Sequence, residues 1–235
     1  MKKNYFYPYL DALSHVLFPY VCVHCQNEIS RNENYLCHTC WEQVNPTYYE
    51  DFSDITPLDQ LFFGRIILKN TYSLYHYIEG NPIQSLIHSL KYKNNEKIGS
   101  YLGEIIGEKI KIMKCDLKFD VVFPVPIHPK KKYQRGFNQC DALSEAIAKS
   151  LNASFDKTLL EKIKNTSSQT RKSKWERWEN SLDNFKIKKA DIHFKHILIV
   201  DDVITTGSTM ESLVKMLKNH FDNIEISIAS IAFAG

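Results

Sequence analysis

The chain has 235 residues, a net charge of +3, 43% hydrophobic residues and 24% charged residues. This length is sufficient for one large domain, or for a domain with a small appendage, and for a substantial buried core. The nearly balanced charge excludes a polycation, so an anion-binding surface has to be local, and no apolar run reaches the roughly 18 residues of a membrane span. The apolar N-terminus is interrupted by Pro8, Asp11 and Pro19, so we predict no export signal and a cytoplasmic location.

Residues 1–50 are predicted to form a zinc module. Four of the six cysteines have the spacing C-x2-C-x11-C-x2-C, and two such pairs are typical of a closed, tetrahedral, structural Zn²⁺ site. The predicted ligands are Cys22, Cys25, Cys37 and Cys40. His24 and His38 lie inside the pairs and are interpreted as bystanders, whereas Cys115 and Cys140 are predicted to be core thiols.

Residues 51–80 are predicted to be a linker followed by a β-hairpin that turns at Lys69 and Asn70. From residue 81 onward, apolar runs of strand length alternate with segments of helical periodicity. This alternation predicts an α/β domain, residues 81–235, with a central parallel sheet flanked by helices. The predicted helices span residues 81–92, 97–113, 137–151 and 209–220, and the predicted strands span residues 119–126, 196–200 and 224–234.

Residues 161–189 interrupt this alternation with nine basic residues, four acidic residues and few apolar positions. The segment is either a solvated surface excursion or a lid. We favour a mobile lid, because long loops at the carboxyl ends of strands commonly cover the site of an α/β enzyme. Its candidate ligand-contacting side chains are Gln169, Arg171, Lys174 and Arg177.

The stretch HILIVDDVITTGSTM, residues 196–210, carries the most specific chemical signal in the chain. An apolar strand leads into Asp201 and Asp202, whose carboxylates can accept hydrogen bonds from the vicinal hydroxyls of a sugar. A helix then begins near Gly207, where backbone N–H groups and the helix dipole favour a phosphate. The hydroxyl donors around this turn are Thr205, Thr206, Ser208 and Thr209. A ribose 5-phosphate would satisfy both halves of the stretch.

Two other interpretations of this stretch explain less of it. An acid pair at a strand end can hold Mg²⁺ in receiver-type signalling domains, but those domains carry the pair near their start, and here it comes late in the chain. An ordinary strand–turn–helix with Thr209 as the helix cap would leave the adjacent carboxylates and the additional hydroxyls without a purpose.

The segment ILIVDDVITTGST resembles the phosphoribosyl-pyrophosphate (PRPP) motif of type I phosphoribosyltransferases. Three further segments, LFPYVCVHC, LIHSLKYK and PVPIHPKK…RGFNQ, are similar to the ComF family of competence-associated phosphoribosyltransferase-like proteins, as is the T-x-x-Q…R-x-x-N pattern of the lid. The resemblance implies a type I phosphoribosyltransferase fold with an N-terminal zinc module and PRPP as ligand. It also implies that Asp201 and Asp202 hold the ribose hydroxyls and that residues 205–209 hold the 5-phosphate.

The same resemblance implies that the loop after the first central strand holds the pyrophosphate of PRPP together with Mg²⁺. The candidate cations of this loop are Lys130, Lys131, Lys132 and Arg135. The expected reaction displaces pyrophosphate from C1, with positioned cations stabilising the leaving group and the lid excluding water. No side chain stands out as the catalytic base: His128 is a candidate by position, and it can equally be structural.

The ComF resemblance further implies a role in natural transformation, at the step where single-stranded DNA enters the cytoplasm. Its implied partners are PRPP, single-stranded DNA and other DNA-uptake proteins. Residues 20–45 contain one arginine and no lysine, so we do not expect the zinc module to contact nucleic-acid phosphates. Cations and aromatic residues cluster instead in the second domain, where they can serve DNA or PRPP. The two hypotheses are therefore a Mg²⁺-dependent phosphoribosyltransferase and a non-catalytic PRPP sensor or DNA-binding adaptor.

Overall fold

A computed structural model describes residues 19–30, 32–48, 55–92, 95–113, 117–164, 184–188, 193–221 and 223–235. The described strands are β1 (Thr71–His76), β2 (Val121–Pro124), β3 (Ser154–Phe155), β4 (Leu160–Lys162), β5 (Phe185–Ile187), β6 (His196–Ile204) and β7 (Glu225–Phe233). The described helices are α1 (His38–Trp41), α2 (Pro57–Phe62), α3 (Pro82–Tyr92), α4 (Glu96–Met113), α5 (Pro129–Arg135), α6 (Gln139–Leu151) and α7 (Ser208–His220). None of these helices combines the length and the apolar character needed to cross a membrane.

Five strands form one parallel sheet in the order β1-β7-β6-β2-β3. Strand β7 is buried along its whole length except for its first residue, and β6 is buried over its first five residues. Helices therefore have to cover both faces of the sheet. Residues of α3, α4 and α6 pack in one hydrophobic cluster, and residues of α2 and α7 pack in the other. The predicted α/β class and the central parallel sheet flanked by helices are confirmed.

The predicted hairpin at Lys69 and Asn70 is wrong. Only its second half forms a strand, β1, which pairs in parallel with β7 so that Thr71 lies opposite Ile228. The first half is held by single contacts, such as the hydrogen bond from Lys69 N to Ile226 O at 2.8 Å. Because the first four residues of β1 are buried, joining the sheet removes more apolar surface from water than a local hairpin would. The domain limits at residues 50 and 80 remain predictions, although β1 belongs to the main sheet.

Helices α4 and α6 approach each other closely because α4 presents glycine at every fourth position. Gly99, Gly103 and Gly107 lie on one face of α4, and a Cβ atom at Gly103 would overlap the carbonyl oxygen of Leu143 in α6. This contact fixes the start of α6. Asn138 caps that start, since its side chain accepts a hydrogen bond from Cys140 N at 3.2 Å.

The N-terminal cysteine module is packed against the sheet domain. Its last residues run along the outer edge of β1, where Thr47 N donates to Leu74 O at 3.0 Å. Trp41 lies 6.3 Å from the ring of Tyr75 and 6.5 Å from the ring of Tyr101 on α4. The buried cysteines of the module belong to the same hydrophobic cluster as α3 and α4. The module therefore covers an otherwise exposed strand edge.

Candidate functional site

Two loops meet at the carboxyl ends of adjacent strands β2 and β6. The chain leaves β2 toward β3 on one side of the sheet, whereas β6 continues to β7 on the other side. Such a reversal of strand order opens a crevice in which α/β proteins commonly bind ligands. Val125 N, just after β2, donates to Val200 O of β6 at 2.8 Å, so the two predicted ligand segments lie side by side.

The turn after β6 has the backbone of an anion-binding site. Strand β6 extends to Ile204, four residues beyond its predicted end, so the acid pair lies within the strand. Gly207 has a φ of 71° and occupies the N-cap position of α7. No side chain there caps the helix, which leaves its first N–H groups available to a ligand. The alternative interpretation, an ordinary turn with Thr209 as the helix cap, is therefore not what the structure shows. Thr206 and Ser208 are exposed and 3.1 Å apart at their hydroxyls.

This turn is supported by residues of the segment that precedes β1. A Cβ atom at Gly207 would lie 2.6 Å from the ring of Phe62, the last residue of α2. Arg65 donates from Nη1 to the carbonyl oxygen of Thr206 at 2.9 Å and from Nε to Glu211 of α7 at 3.0 Å. Phe62 and Arg65 therefore fix the shape of the turn.

The sequence contains a pattern that predicts helix α2, which supports this turn. Thr56, Pro57 and Asp59 form a capping box with proline in the first turn, and this pattern marks a helix start. Asp59 also accepts a hydrogen bond from the hydroxyl of Thr71 in β1 at 2.9 Å. Residues 55–64 of the predicted linker are thus an ordered part of the site.

The two predicted acids have different surroundings. Asp201 is partly buried, and its Oδ1 accepts hydrogen bonds from Asp202 N at 2.9 Å and from the thiol of Cys140 at 3.5 Å. Asp202 is 4% exposed. Its Oδ1 accepts from Val203 N at 2.8 Å, and its Oδ2 lies 2.7 Å from Lys91 Nζ on α3. In the sequence, Lys91 stands out only as one of the basic residues of the second domain that can serve DNA or PRPP.

The charges around the acid pair follow from this geometry. Burial and the adjacent charge of Asp202 raise the pKa of the Asp201 carboxyl. Burial alone would lower the pKa of Lys91, but the charge of Asp202 outweighs it, and the pKa of Lys91 is raised. Burial and the nearby carboxylates raise the pKa of Cys140, so its thiol stays protonated and donates to Asp201.

The predicted pyrophosphate loop is largely helix α5. His128 caps this helix, since its Nδ1 accepts a hydrogen bond from Lys130 N at 3.1 Å. The helix ends at Gly136, which has a φ of 80°. Lys130, Lys131 and Lys132 are exposed, as a ligand-binding role requires. The structure thus gives His128 a capping role in the fold.

Arg135 points away from this group of lysines. Its Nη1 donates to Gln139 Oε1 at 2.8 Å, and its guanidinium carbon lies 5.1 Å from the centre of the Tyr92 ring. This stacking engages the guanidinium with α3 and α6. Of the four predicted cations, Arg135 is therefore the one already committed to contacts within the protein.

A further lysine reaches the site from the two-stranded sheet of β4 and β5. In this antiparallel pair, Lys162 lies opposite Phe185. Burial and the charge of Lys131 lower the pKa of Lys162, while the charge of Asp201 opposes the shift. Lys162 is therefore within electrostatic range of both loops. The predicted lid residues Gln169, Arg171, Lys174 and Arg177 lie outside the described residues.

A cavity of about 400 Å³ separates α5 and the start of α6 from the β4–β5 sheet. Its charged lining consists of four lysines and two acids: Lys132, Lys157, Lys162, Lys188, Asp141 and Glu161. Because the lysines outnumber the acids, the cavity favours anionic groups.

The four cysteines of the N-terminal module form a second, separate site. Their Sγ atoms all lie within 4.8 Å of one another, and the Sγ atoms of Cys25 and Cys37 are 3.7 Å apart. A tetrahedral Zn²⁺ site with Zn–S bonds of about 2.3 Å requires sulfur separations of about 3.8 Å. Burial opposes ionisation of Cys22, but hydrogen bonds from backbone N–H groups lower the pKa of its thiol. The four cysteines can therefore hold a zinc ion.

Residues 140–234 match the family described as Phosphoribosyl transferase domain. The matched region contains almost all of α6, the acid pair, the turn at Gly207 and β7. Together with the sheet order and the crevice, this match defines the class: the chain contains a phosphoribosyltransferase-like domain.

Several relatives extend the similarity over more of the chain. Competence protein F of Haemophilus influenzae is 26% identical over 217 residues, which cover 86% of this chain and 92% of that protein. Competence protein ComFC of Bacillus subtilis is 20% identical over 84% of this chain and 77% of that protein. DNA utilization protein YhgH of Escherichia coli K12 is 28% identical over 58% of this chain and 61% of that protein. Together with the domain match, these comparisons show that the chain is similar to competence and DNA utilization proteins and contains a phosphoribosyltransferase-like domain.

A solved structure of an adenine phosphoribosyltransferase aligns over 59% of this chain and 73% of that chain, with 15% identity and a TM-score of 0.38. This likeness is too low to add to the assignment.

Replacing one predicted zinc ligand should release the metal. We expect Cys37→Ala to lose stoichiometric zinc and to lower the free energy of unfolding by about 3 kcal/mol or more, because a structural zinc site contributes directly to folding. His38→Ala, which removes the neighbouring exposed side chain, should keep both properties and is the matched control. Elemental analysis and thermal unfolding measure the two effects. A wild-type protein without zinc, or a Cys37→Ala variant that retains it, would contradict the zinc assignment.

Proposed function

We propose that the crevice between β2 and β6 binds PRPP, with the ribose hydroxyls at the acid pair and the 5-phosphate at residues 205–209. One observation carries this proposal: a carboxylate and an open helix N-terminus lie on the same strand and on the turn that follows it. Asp201 presents a carboxylate, and a few residues further Gly207 opens the N-terminus of the 13-residue helix α7 to an anion. Groups that can bind a hydroxylated sugar and groups that can bind a phosphate thus follow each other along one strand and its turn.

The pyrophosphate end of the ligand would lie toward the exposed lysines of α5 and toward Lys162. In the proposed reaction, the bond between C1 and the pyrophosphate oxygen breaks and pyrophosphate leaves with the bonding electrons, while an acceptor donates an electron pair to C1. These cations would stabilise the negative charge on the leaving group. The oxygen ligands available to Mg²⁺ are the carboxylate of Asp201 and the oxygens of PRPP, and the ion would share in neutralising the pyrophosphate.

The names of the relatives suggest a cellular role. Two are competence proteins and one is a DNA utilization protein. We therefore propose that this protein acts in natural transformation, at the step where single-stranded DNA enters the cytoplasm. Phosphoribosyl transfer to an acceptor would then be linked to the handling of incoming DNA.

A second candidate is a PRPP sensor or DNA-binding adaptor without turnover. It is favoured by the cation and aromatic surface beside the crevice, where Arg135 stacks on Tyr92, which is 62% exposed, and Tyr133 is 91% exposed. Exposed rings among cations can stack with bases of a single strand. His128, the position-based candidate for a catalytic base, is used as a helix cap, which also weakens the case for turnover.

Titration of Mg²⁺ and PRPP into the zinc-loaded full chain tests the binding site. We expect Asp201→Asn/Asp202→Asn to weaken binding at least about 100-fold, because each lost charge-assisted hydrogen bond costs about 1.5–3 kcal/mol. Glu225→Gln removes a carboxylate at the opposite end of the sheet, where it pairs with Lys69, and should bind as the wild type does. Equal binding by all three proteins, or no binding by the folded wild type, would contradict the assignment.

Release of pyrophosphate decides between the two candidates. We expect the wild type with Mg²⁺ and PRPP to release pyrophosphate faster in the presence of an acceptor, for which the probes are the common nucleobases and a single-stranded oligonucleotide. The Asp201→Asn/Asp202→Asn protein gives the background rate. If the wild type binds PRPP but releases pyrophosphate only at that background rate with every probe, the sensor or adaptor is favoured instead.

A further inference from the structure

Helix α3 brings one lysine to the acid pair from a remote part of the chain. The helix is anchored by its apolar face, where Ile83, Leu86, Ile87 and Leu90 are all at most 3% exposed. Lys91 follows directly and lies in the last turn of the helix. The carboxyl end of a helix carries partial negative charge and favours a cation there. The anchored helix therefore holds the Lys91 ammonium near the end of β6.

The contact with the acid pair is short and shielded. Lys91 Nζ lies 2.7 Å from Asp202 Oδ2, with side-chain exposures of 24% and 6%. Asp202 Oδ2 is closed off from solvent, and Oδ1 of the same carboxylate accepts the Val203 N–H at 2.8 Å. Water therefore contributes little to the solvation of this charge, and Lys91 balances it.

Two adjacent carboxylates repel each other, and their repulsion is strongest where water is excluded. Without a counter-ion, one of them would turn away from the other. A displaced acid would be a poorer acceptor for a sugar hydroxyl, because a hydrogen bond weakens steeply as its geometry departs from the ideal. The cation that holds Asp202 thus also preserves the arrangement of Asp201.

We propose that Lys91 is a positioning residue, which holds the acid pair in the orientation in which the pair can select a sugar with both vicinal hydroxyls. This inference rests on the proposed function, because it assigns the selectivity of the same crevice. It deepens that proposal by naming the ligand class as a ribose phosphate, in preference to a 2-deoxyribose phosphate.

The position of α3 also connects the acid pair to the cysteine module. His24, between two of the cysteines, has its Nδ1 3.0 Å from the hydroxyl of Ser85 on α3. The module and the acid pair therefore contact the same helix, six residues apart. The zinc-loaded full chain is consequently the appropriate protein for the test.

The experiment compares ribose 5-phosphate with 2-deoxyribose 5-phosphate, titrated by calorimetry well below the unfolding temperature. We expect the wild type to prefer ribose 5-phosphate by about tenfold or more. Lys91→Met should weaken the binding of ribose 5-phosphate about tenfold and reduce the preference to less than about threefold. Lys91→Arg should retain most of the affinity for ribose 5-phosphate and most of the preference for it, because arginine keeps the positive charge. Lys97→Met removes an exposed lysine of the nearby helix α4 and should behave as the wild type.

The outcomes separate this inference from the proposed function. If folded Lys91→Met keeps the wild-type preference, Lys91 is only structural and the inference is overturned. It is also overturned if Lys91→Arg is as defective as Lys91→Met. If the folded wild type binds neither sugar phosphate nor PRPP, the proposed function fails and the inference fails with it. Binding of both sugars without any preference would overturn the inference and leave the phosphate site intact.

Discussion

The central constraint in this structure is the presence of two adjacent carboxylates at the end of a buried strand. Asp201 and Asp202 would repel each other in a crevice with little water, so their surroundings have to compensate. The partners come from different elements: Cys140 of α6 donates to Asp201, Lys91 of α3 pairs with Asp202, and Lys162 of β4 lies within electrostatic range. These three residues lie near the acid pair only because α3, α6 and β4 pack together in the folded domain.

The packing between helices makes that convergence possible. Cys140 lies 61 residues from Asp201 in sequence and reaches it because the glycines of α4 let α6 approach closely. Gly103 is the clearest case, since a side chain there would meet the backbone of Leu143. Small residues far from the crevice thus determine its geometry. The turn at Gly207 depends in the same way on Phe62 and Arg65 beneath it.

The appended parts of the chain are also coupled to the site. The segment before β1 forms α2, which supports the turn at Gly207, and the cysteine module covers the edge of β1 and contacts α3 at Ser85. Each part buries apolar surface against the sheet domain. Loss of zinc would therefore affect α3, the helix that contains Lys91.

The sequence predicted those features that have a local cause. Helical periodicity located α3, α4, α6 and α7 to within two residues, and Gly207 marked the turn because its backbone has a positive φ. The pairing of β1 with β7 was missed because it joins segments more than 150 residues apart, as Thr71 and Ile228 show. The capping box of Thr56 and Asp59 indicates the start of helix α2, although this segment was predicted to be a linker.

The site residues divide in the same way. The acids and hydroxyls of residues 201–209 could be proposed from the sequence as ligand-binding groups, because they follow each other along one strand and one turn. Lys91 and Lys162 are recognisable in the sequence only as members of basic clusters, since their particular contacts depend on tertiary packing that no local spacing encodes. Arg135 was assigned to the ligand by its charge, but its stacking on Tyr92 depends on the position of α3.

The most direct test of this account is the crystal structure of the zinc-loaded protein with Mg²⁺ and PRPP. The account predicts the 5-phosphate within hydrogen-bond distance of the backbone N–H groups at the start of α7, the ribose hydroxyls at the acid pair and the pyrophosphate toward α5. A ligand whose phosphate lies elsewhere, or whose hydroxyls face away from Asp201 and Asp202, would contradict it.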